Sequence, residues 1–573
     1  MPNEHDPKPT LWNIAGIRPL WLGIFLIVAA VTAVGVYLGK AKYQQKQLSS
    51  LLAQAKAAEA KGDHRSALVS LRRALQLAPD HIEATRMMAL QADRHNSPVT
   101  PVWMQKLVEL EPANPTNLVM WARSAMRQGD MLTADQVLRR FPKEHKETLS
   151  YHRLAGAFAV QARQYQAAEY HFAKAAKMNP EDPREQLNLS TIRLLSSRPE
   201  IVRESLATLE KLTSHPELGK EAAQALLADE LRHKNAPKQL ELARKIISMP
   251  DARFADRLMY LELLLRNKDP QFSAELAAAK KKALENSTSK PELIAWLNAR
   301  DMAQEAYEWT KTLPAKDLEM PALAMTAAET LVKLKSWDEL LTQTRKGSWE
   351  ELEFMRFAFL ARAQRELNLW GTSRSSWRQA TSSLGLDTQS RTLLAKMAQG
   401  WGWYSEAEEI WLALSRYDTT RIPALKSLHK IYLATGNTRS LLKITETIAQ
   451  LVPDDPVIKN NYAMLSLLLG QNIPKAKELA RLNHEKFPKD AAATSTYAMA
   501  LREDGKLKEA VALMETLPTE TRKMPAIAGY WGVLLVEAGR GKEALPYLEA
   551  GIQEENLVPE ERELMKSALA KIK

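Results

Sequence analysis

The sequence predicts an all-α chain, a long series of antiparallel helix pairs preceded by one membrane-spanning helix. Three observations carry this prediction. Small residues recur every 34 positions on helical stripes, and only 21 of the 573 residues are Gly, with no strand-rich stretch. The third is Leu20–Gly39, which holds no charged residue. A chain this long exceeds a single hydrophobic core, so it is several domains or an array of small units. Hydrophobic residues at 45% and charged residues at 26% make a folded composition. The absence of Cys excludes disulfide scaffolds, Cys-ligated zinc, iron–sulfur clusters and thiol catalysis. Lys and Arg total 79 against 68 Asp and Glu, a net charge of +11. The longest basic run is Lys280–Lys282, so the charge reads as solvated helix faces and no nucleic-acid partner is expected.

Residues 1–19 form an N-terminal tail and residues 20–39 the anchor. Leu20–Gly39 spans about 30 Å as a helix, the thickness of the bilayer hydrocarbon. Trp21 and Tyr37 stand at its two ends, where amphipathic rings favour the interface. A cleaved signal peptide is the competing reading, with Val31-Thr32-Ala33 as its cleavage site, but the apolar run is long for one. Lys40, Lys42 and Lys46 outnumber Lys8 and Arg18 on the other side, which favours a cytoplasmic body. Long domains translocate regardless of charge, and a chain without thiols suits an oxidising compartment. The balance adopted is an extracytoplasmic body on a bacterial inner membrane, with residues 40–47 as a short link.

The repeat is clearest near the C-terminus, where residues 505–517 read GKLKEAVALMETL and residues 539–551 read GRGKEALPYLEAG. Ala476, Ala510 and Ala544 are successively 34 residues apart; Leu441 and Ala407 continue the series backwards. Ala134 and Ala168 are again 34 apart, with Ala67 near the start. In 55–79, Gly62 ends a first helix. Ala67, Leu71 and Ala74 then share one face of a second, and Pro79 closes the unit. Residues 162–180 repeat the plan with Ala168, Phe172, Ala175 and Pro180. Small residues are needed where two helices cross closely, and large ones fill the grooves between pairs.

On these marks the chain resembles the tetratricopeptide repeat (TPR) family, with Gly156, Ala498 and Gly532 at the small eighth position of its motif. The resemblance implies a right-handed superhelical solenoid. It covers residues 48–182 as N-terminal repeats, 183–390 as degenerate helical repeats and 391–557 as C-terminal repeats. Residues 558–573 read as a charged capping helix that shields the last repeat. The plan of anchor plus repeats is similar to membrane-anchored TPR proteins of the lipopolysaccharide-assembly B type. Those end in a Cys-paired metal domain, which this Cys-free chain lacks.

The sequence offers no catalytic motif. The 11 His are scattered without a metal-binding spacing. Gly539-Arg540-Gly541-Lys542 fails as a phosphate loop, because Glu543 replaces the Ser or Thr and Val536 the opening Gly. Gly400-Trp401-Gly402-Trp403 follows no strand, so a dinucleotide fingerprint fails too. A non-enzyme without cofactor or metal is expected.

Nine of the 14 Trp lie between residues 296 and 411. One reading is core filling where the motif's small residues are missing, as for Trp411 four positions after Ala407. The other is a binding surface, with Trp377, Trp401 and Trp403 as aromatic contacts and Arg374 and Arg378 as polar anchors. The leading expectation is a membrane-anchored scaffold that holds proteins or peptides in its groove, in a cell-envelope, secretion or polysaccharide-export complex. A glycan-binding envelope protein using the Trp surface is the second, and an adaptor regulating a membrane-associated enzyme the third.

Overall fold

The computed structural model describes residues 40, 42–95, 97, 99–112, 114–385 and 387–573. The expected span at 20–39, with Trp21 and Tyr37, lies outside the described residues. Among the described residues there is no strand, and no helix is long and apolar enough to cross a membrane.

Helices follow one another in short alternation and divide into two units, one ending at Ala279 and the other running from Lys280 to Lys573. In the first unit the opening helix covers residues 42–60 and pairs in sequence with His64–Leu77. Further pairs are Ile82–Arg94 with Thr100–Leu110, Pro115–Arg127 with Met131–Arg139, and Leu149–Gln161 with Tyr165–Met178. The stretch expected to be degenerate continues without a break in rhythm, its first helices opening at Pro183, Gly219 and Phe254. In the second unit, first helices open at Ser289, Pro321, Glu353, Thr388, Asp418, Pro456, Ala491 and Pro525, and Pro559–Ala570 ends the chain. Within each unit successive helices pack together. First helices also touch the first helix of the next pair, as Pro456–Leu469 does Ala491–Glu503.

Residues 40–47 correct one expectation. Residue 40 and residues 42–47 are helical, and 42–47 belong to the opening helix that runs to residue 60, where a link was expected. No Gly or Pro interrupts residues 40–61, so nothing stops the helix before Gly62. There Gly62 takes a φ of +73°, the left-handed turn that ends a helix. The next helix starts because the Asp63 side chain accepts from the Ser66 amide at 3.0 Å, satisfying an otherwise orphaned donor. The same device recurs with Asp130 on Thr133 and Asp490 on Ala493.

The middle of the chain uses the same turn with other residues. Lys234, Lys268, Asp301, Lys335 and Asn368 all have φ between +52° and +61°, where most motif-rich repeats have Gly, Arg163 at +58° being an exception. Each such residue costs about 1–2 kcal/mol relative to right-handed backbone, a cost the packed helices on both sides offset.

Packing explains the small residues. Ala67, Ala74, Ala134, Ala168, Ala175, Ala407, Ala476, Ala510 and Ala544 are all fully buried. A Cβ on Gly156 would stand 2.5 Å from the Phe172 ring, and one on Gly532 would stand 2.7 Å from Leu548. The small residue of a first helix is thus the seat of a large residue on its partner helix. The terminal helix buries Met565 and Ala568 against the last pair while Glu563, Lys566 and Lys571 face solvent. It also reaches backwards: Pro559 lies against Gly436, and the Thr438 hydroxyl donates to Glu560.

Gly532→Ala should therefore destabilise the second unit by about 1–3 kcal/mol, the usual cost of overpacking. The denaturant midpoint of the chain reports it; a midpoint equal to wild type would contradict the close approach.

Candidate functional site: the tryptophan–arginine cluster and the interhelical clefts

The Trp-rich stretch folds into a packed cluster around two arginines. Trp403 ends the turn after helix Thr388–Gly400 and is 5% exposed; Trp377, on helix Trp370–Ser382, is 6% exposed. Their ring centroids are 5.5 Å apart, nearly edge to face, and Trp401 stands 5.2 Å from Trp403. Into this group the preceding first helix, Glu353–Glu366, sends Arg362 and Arg365. The Arg365 guanidinium lies 3.5 Å from the Trp403 ring centre and pairs with Glu406. Arg362 sits 5.5–5.7 Å from the rings of Trp337, Trp401 and Trp403. It pairs with Glu366 at 3.0 Å and donates to the Trp401 carbonyl at 3.3 Å. Burial holds the Arg362 guanidinium below its ordinary pKa; Glu366 opposes this and Arg365 adds to it. A desolvated cation against an aromatic face contributes up to about 2 kcal/mol.

This geometry corrects the expected binding surface. Trp377 and Trp403 are core residues, and Trp401 is half-buried against Phe359. Arg374 and Arg378 are exposed whereas Trp377 on the same helix is buried, so the three do not form one exposed patch. The physical reason is that large rings fill the space between pairs, as Trp296, Trp309, Trp349 and Trp411 also do. Trp370 is the exposed exception, at 55%. Sequence reasoning missed Arg362 and Arg365. Their signal was the repeat itself, because the end of one first helix meets the turn that follows the next first helix.

Three openings lie between neighbouring helices; another, of 560 Å³, runs along the single helix Ala236–Ile247. The first, of 480 Å³, sits among helices Ala303–Lys311, Pro321–Leu334 and Trp337–Arg345. Its lining includes Ala327, Leu331 and Leu318, with Tyr307 and Lys311 from one helix and Asp338 and Glu339 from another. The Tyr307 hydroxyl reaches the Glu339 carboxylate at 2.9 Å, and the Lys311 ammonium stands 4.8 Å from the Tyr307 ring centre. A second opening, of 410 Å³, lies among Pro456–Leu469, Ala491–Glu503 and the terminal helix. A third, of 210 Å³, is lined in part by Asp135, Arg139, Tyr151 and His171. Beside it, His152 and His171 meet Nδ1 to Nδ1 at 2.9 Å, and Glu147 lies 3.6 Å from the other nitrogen of His152. Burial, and then the neighbouring His152, hold the His171 pKa below its ordinary value. Among the described residues, no group of three or more His, Asp or Glu side chains is placed to hold a metal ion.

No protein-family model and no curated protein matches the chain. Among solved structures, it is similar to one described as the functional characterization of Pseudomonas aeruginosa PilF. The identity is 14% over 39% of this chain and 99% of that one, with a TM-score of 0.30. It is also similar to the APC/C hetero-tetramer Cut9–Hcn1, at 11% identity over 92% of this chain and 98% of that chain, with a TM-score of 0.27.

If the Trp cluster is core, Trp403→Ala should cost about 3–5 kcal/mol of stability. Arg374→Ala should stay within about 0.5 kcal/mol of wild type. Denaturant titrations of the two variants check this; a Trp403→Ala chain as stable as wild type would contradict it.

Proposed function

We propose that this protein is a membrane-tethered, non-catalytic scaffold whose clefts hold segments of partner proteins. The helix pairs in this reading form a TPR-like superhelical solenoid, as the sequence motif implies. The observation that carries the proposal is the pair of clefts of 480 and 410 Å³ between successive helix pairs. Both have apolar floors with a few charged side chains at the edge, the usual make-up of a recognition pocket. A series of such clefts along one chain suits the binding of extended or multiple partner segments. The tether rests on the uncharged run Leu20–Gly39, and its work is to concentrate partners at the envelope. In this reading the body lies outside the cytoplasm, which the absence of thiols supports and the flanking charges oppose. A glycan platform on Trp377, Trp401 and Trp403 has no support, because two of these rings are buried.

A photo-crosslinking residue at Thr342, on the wall of the larger cleft, tests the reading in cells producing the full chain. The same residue at Arg374 serves as an exposed control away from the clefts. The expected result is a protein adduct of discrete mass from Thr342 and none from Arg374, with the chain resisting carbonate extraction from membranes. Equal adducts from both positions, none from Thr342, or release by carbonate would overturn it.

A further inference from the structure

The 410 Å³ opening has walls of different origin. Two are the first helices Pro456–Leu469 and Ala491–Glu503, which contribute Met464, Leu467, Leu468 and Met499. The third is the terminal helix, which contributes Leu564 and Ser567. The first half of that helix is held by two sets of neighbours. On one side, Pro559 packs on Gly436 and Thr438 donates to Glu560. On the other, Met565 is fully buried beside Gly529, and the Tyr530 hydroxyl donates to Glu561. The opening is therefore a groove with fixed walls. Its apolar lining includes two thioethers, which adapt to side chains of different shape.

The charges at its edge are one-sided. Arg502 is taken up chiefly by Glu537, with contacts of 2.8 and 3.0 Å from its Nε, and stands 3.8 Å from Glu503, so one cation faces the carboxylates of Glu537, Glu503, Glu560 and Glu563. Glu503, Glu560 and Glu563 supply the remaining charge, and Glu503 and Glu563 are exposed. An apolar groove edged by carboxylates attracts cationic groups and repels anionic ones.

We infer that this groove binds a basic–apolar segment of a partner protein, in which Leu- or Met-sized side chains enter the groove and flanking Lys or Arg side chains meet Glu503 and Glu563. The inference rests on the scaffold reading and names the chemistry of one partner segment. The groove is also complete only when the terminal helix is in place, so that helix forms part of a recognition surface besides capping the array.

The test uses the full chain in detergent and two fluorescein-labelled peptides of equal length, one alternating leucine with lysine and one alternating leucine with glutamate. Fluorescence polarisation should show binding of the lysine peptide and not of the glutamate peptide. Glu503→Lys combined with Glu563→Lys should weaken the lysine peptide by about tenfold or more and admit the glutamate peptide. Ser567→Trp, which fills the groove from its rim and leaves the charges in place, should also abolish binding. All three positions are exposed, so the thermal melts should match wild type. The inference is overturned if neither peptide binds, if both bind equally, or if lysine-peptide binding survives the charge reversal or Ser567→Trp. An adduct from Thr342 alongside any of these results would leave the scaffold reading standing and remove this groove from it.

Discussion

Everything in this fold depends on how closely the two helices of a pair can approach. Where Ala510 or Ala544 sits, the side chain is fully buried and the neighbouring helix lies directly against it. Where Gly156 or Gly532 sits, not even a methyl group fits, because Phe172 or Leu548 occupies the space. Such contacts are short-ranged, so each pair is stabilised chiefly by its neighbours, and the chain can be long without a single large core. Polar contacts repeat at the same interval. Arg127 bonds to Asp93, 34 residues earlier, at 2.7 and 2.9 Å, and Arg502 bonds to Glu537, 35 residues later. These pairs are partly exposed and individually modest; their value is in fixing one pair against the next.

The period was legible because close crossings demand Ala or Gly at a constant interval, and the motif-rich ends of the chain retain both. The middle reads as degenerate because the sequence mark was lost while the geometry was kept. A left-handed turn residue is most easily Gly, but Lys234, Asp301 and Asn368 adopt the same backbone when packed helices hold them. Glycine scarcity between residues 183 and 390 therefore signals a costlier turn, not a missing one. The opening helix was misread for a related reason. Residues 40–47 follow an apolar run and look like a connector, yet they contain no residue that stops a helix.

Less of the candidate site was legible. Trp enrichment was visible, but whether a ring faces solvent depends on what lies across from it, and Arg362 and Arg365 lie there. The clefts could not be found in the sequence, since each is a gap between helices whose divergence is a tertiary property. The terminal helix shows the limit most clearly. Its capping role follows from its charged face, whereas its contact with Thr438, 122 residues from Glu560, has no local signal. That return is what turns an ordinary gap between first helices into a walled groove.

The dependence of the fold on close pair crossings is tested most directly by placing Trp at Ala510 and following hydrogen exchange along the whole chain. Nearest-neighbour stabilisation predicts that amide protection falls in the helices around the substitution, from Ala491 to Glu537. It predicts wild-type protection in the distant pairs between residues 42 and 178. Loss of protection throughout the chain, or none at all, would contradict it.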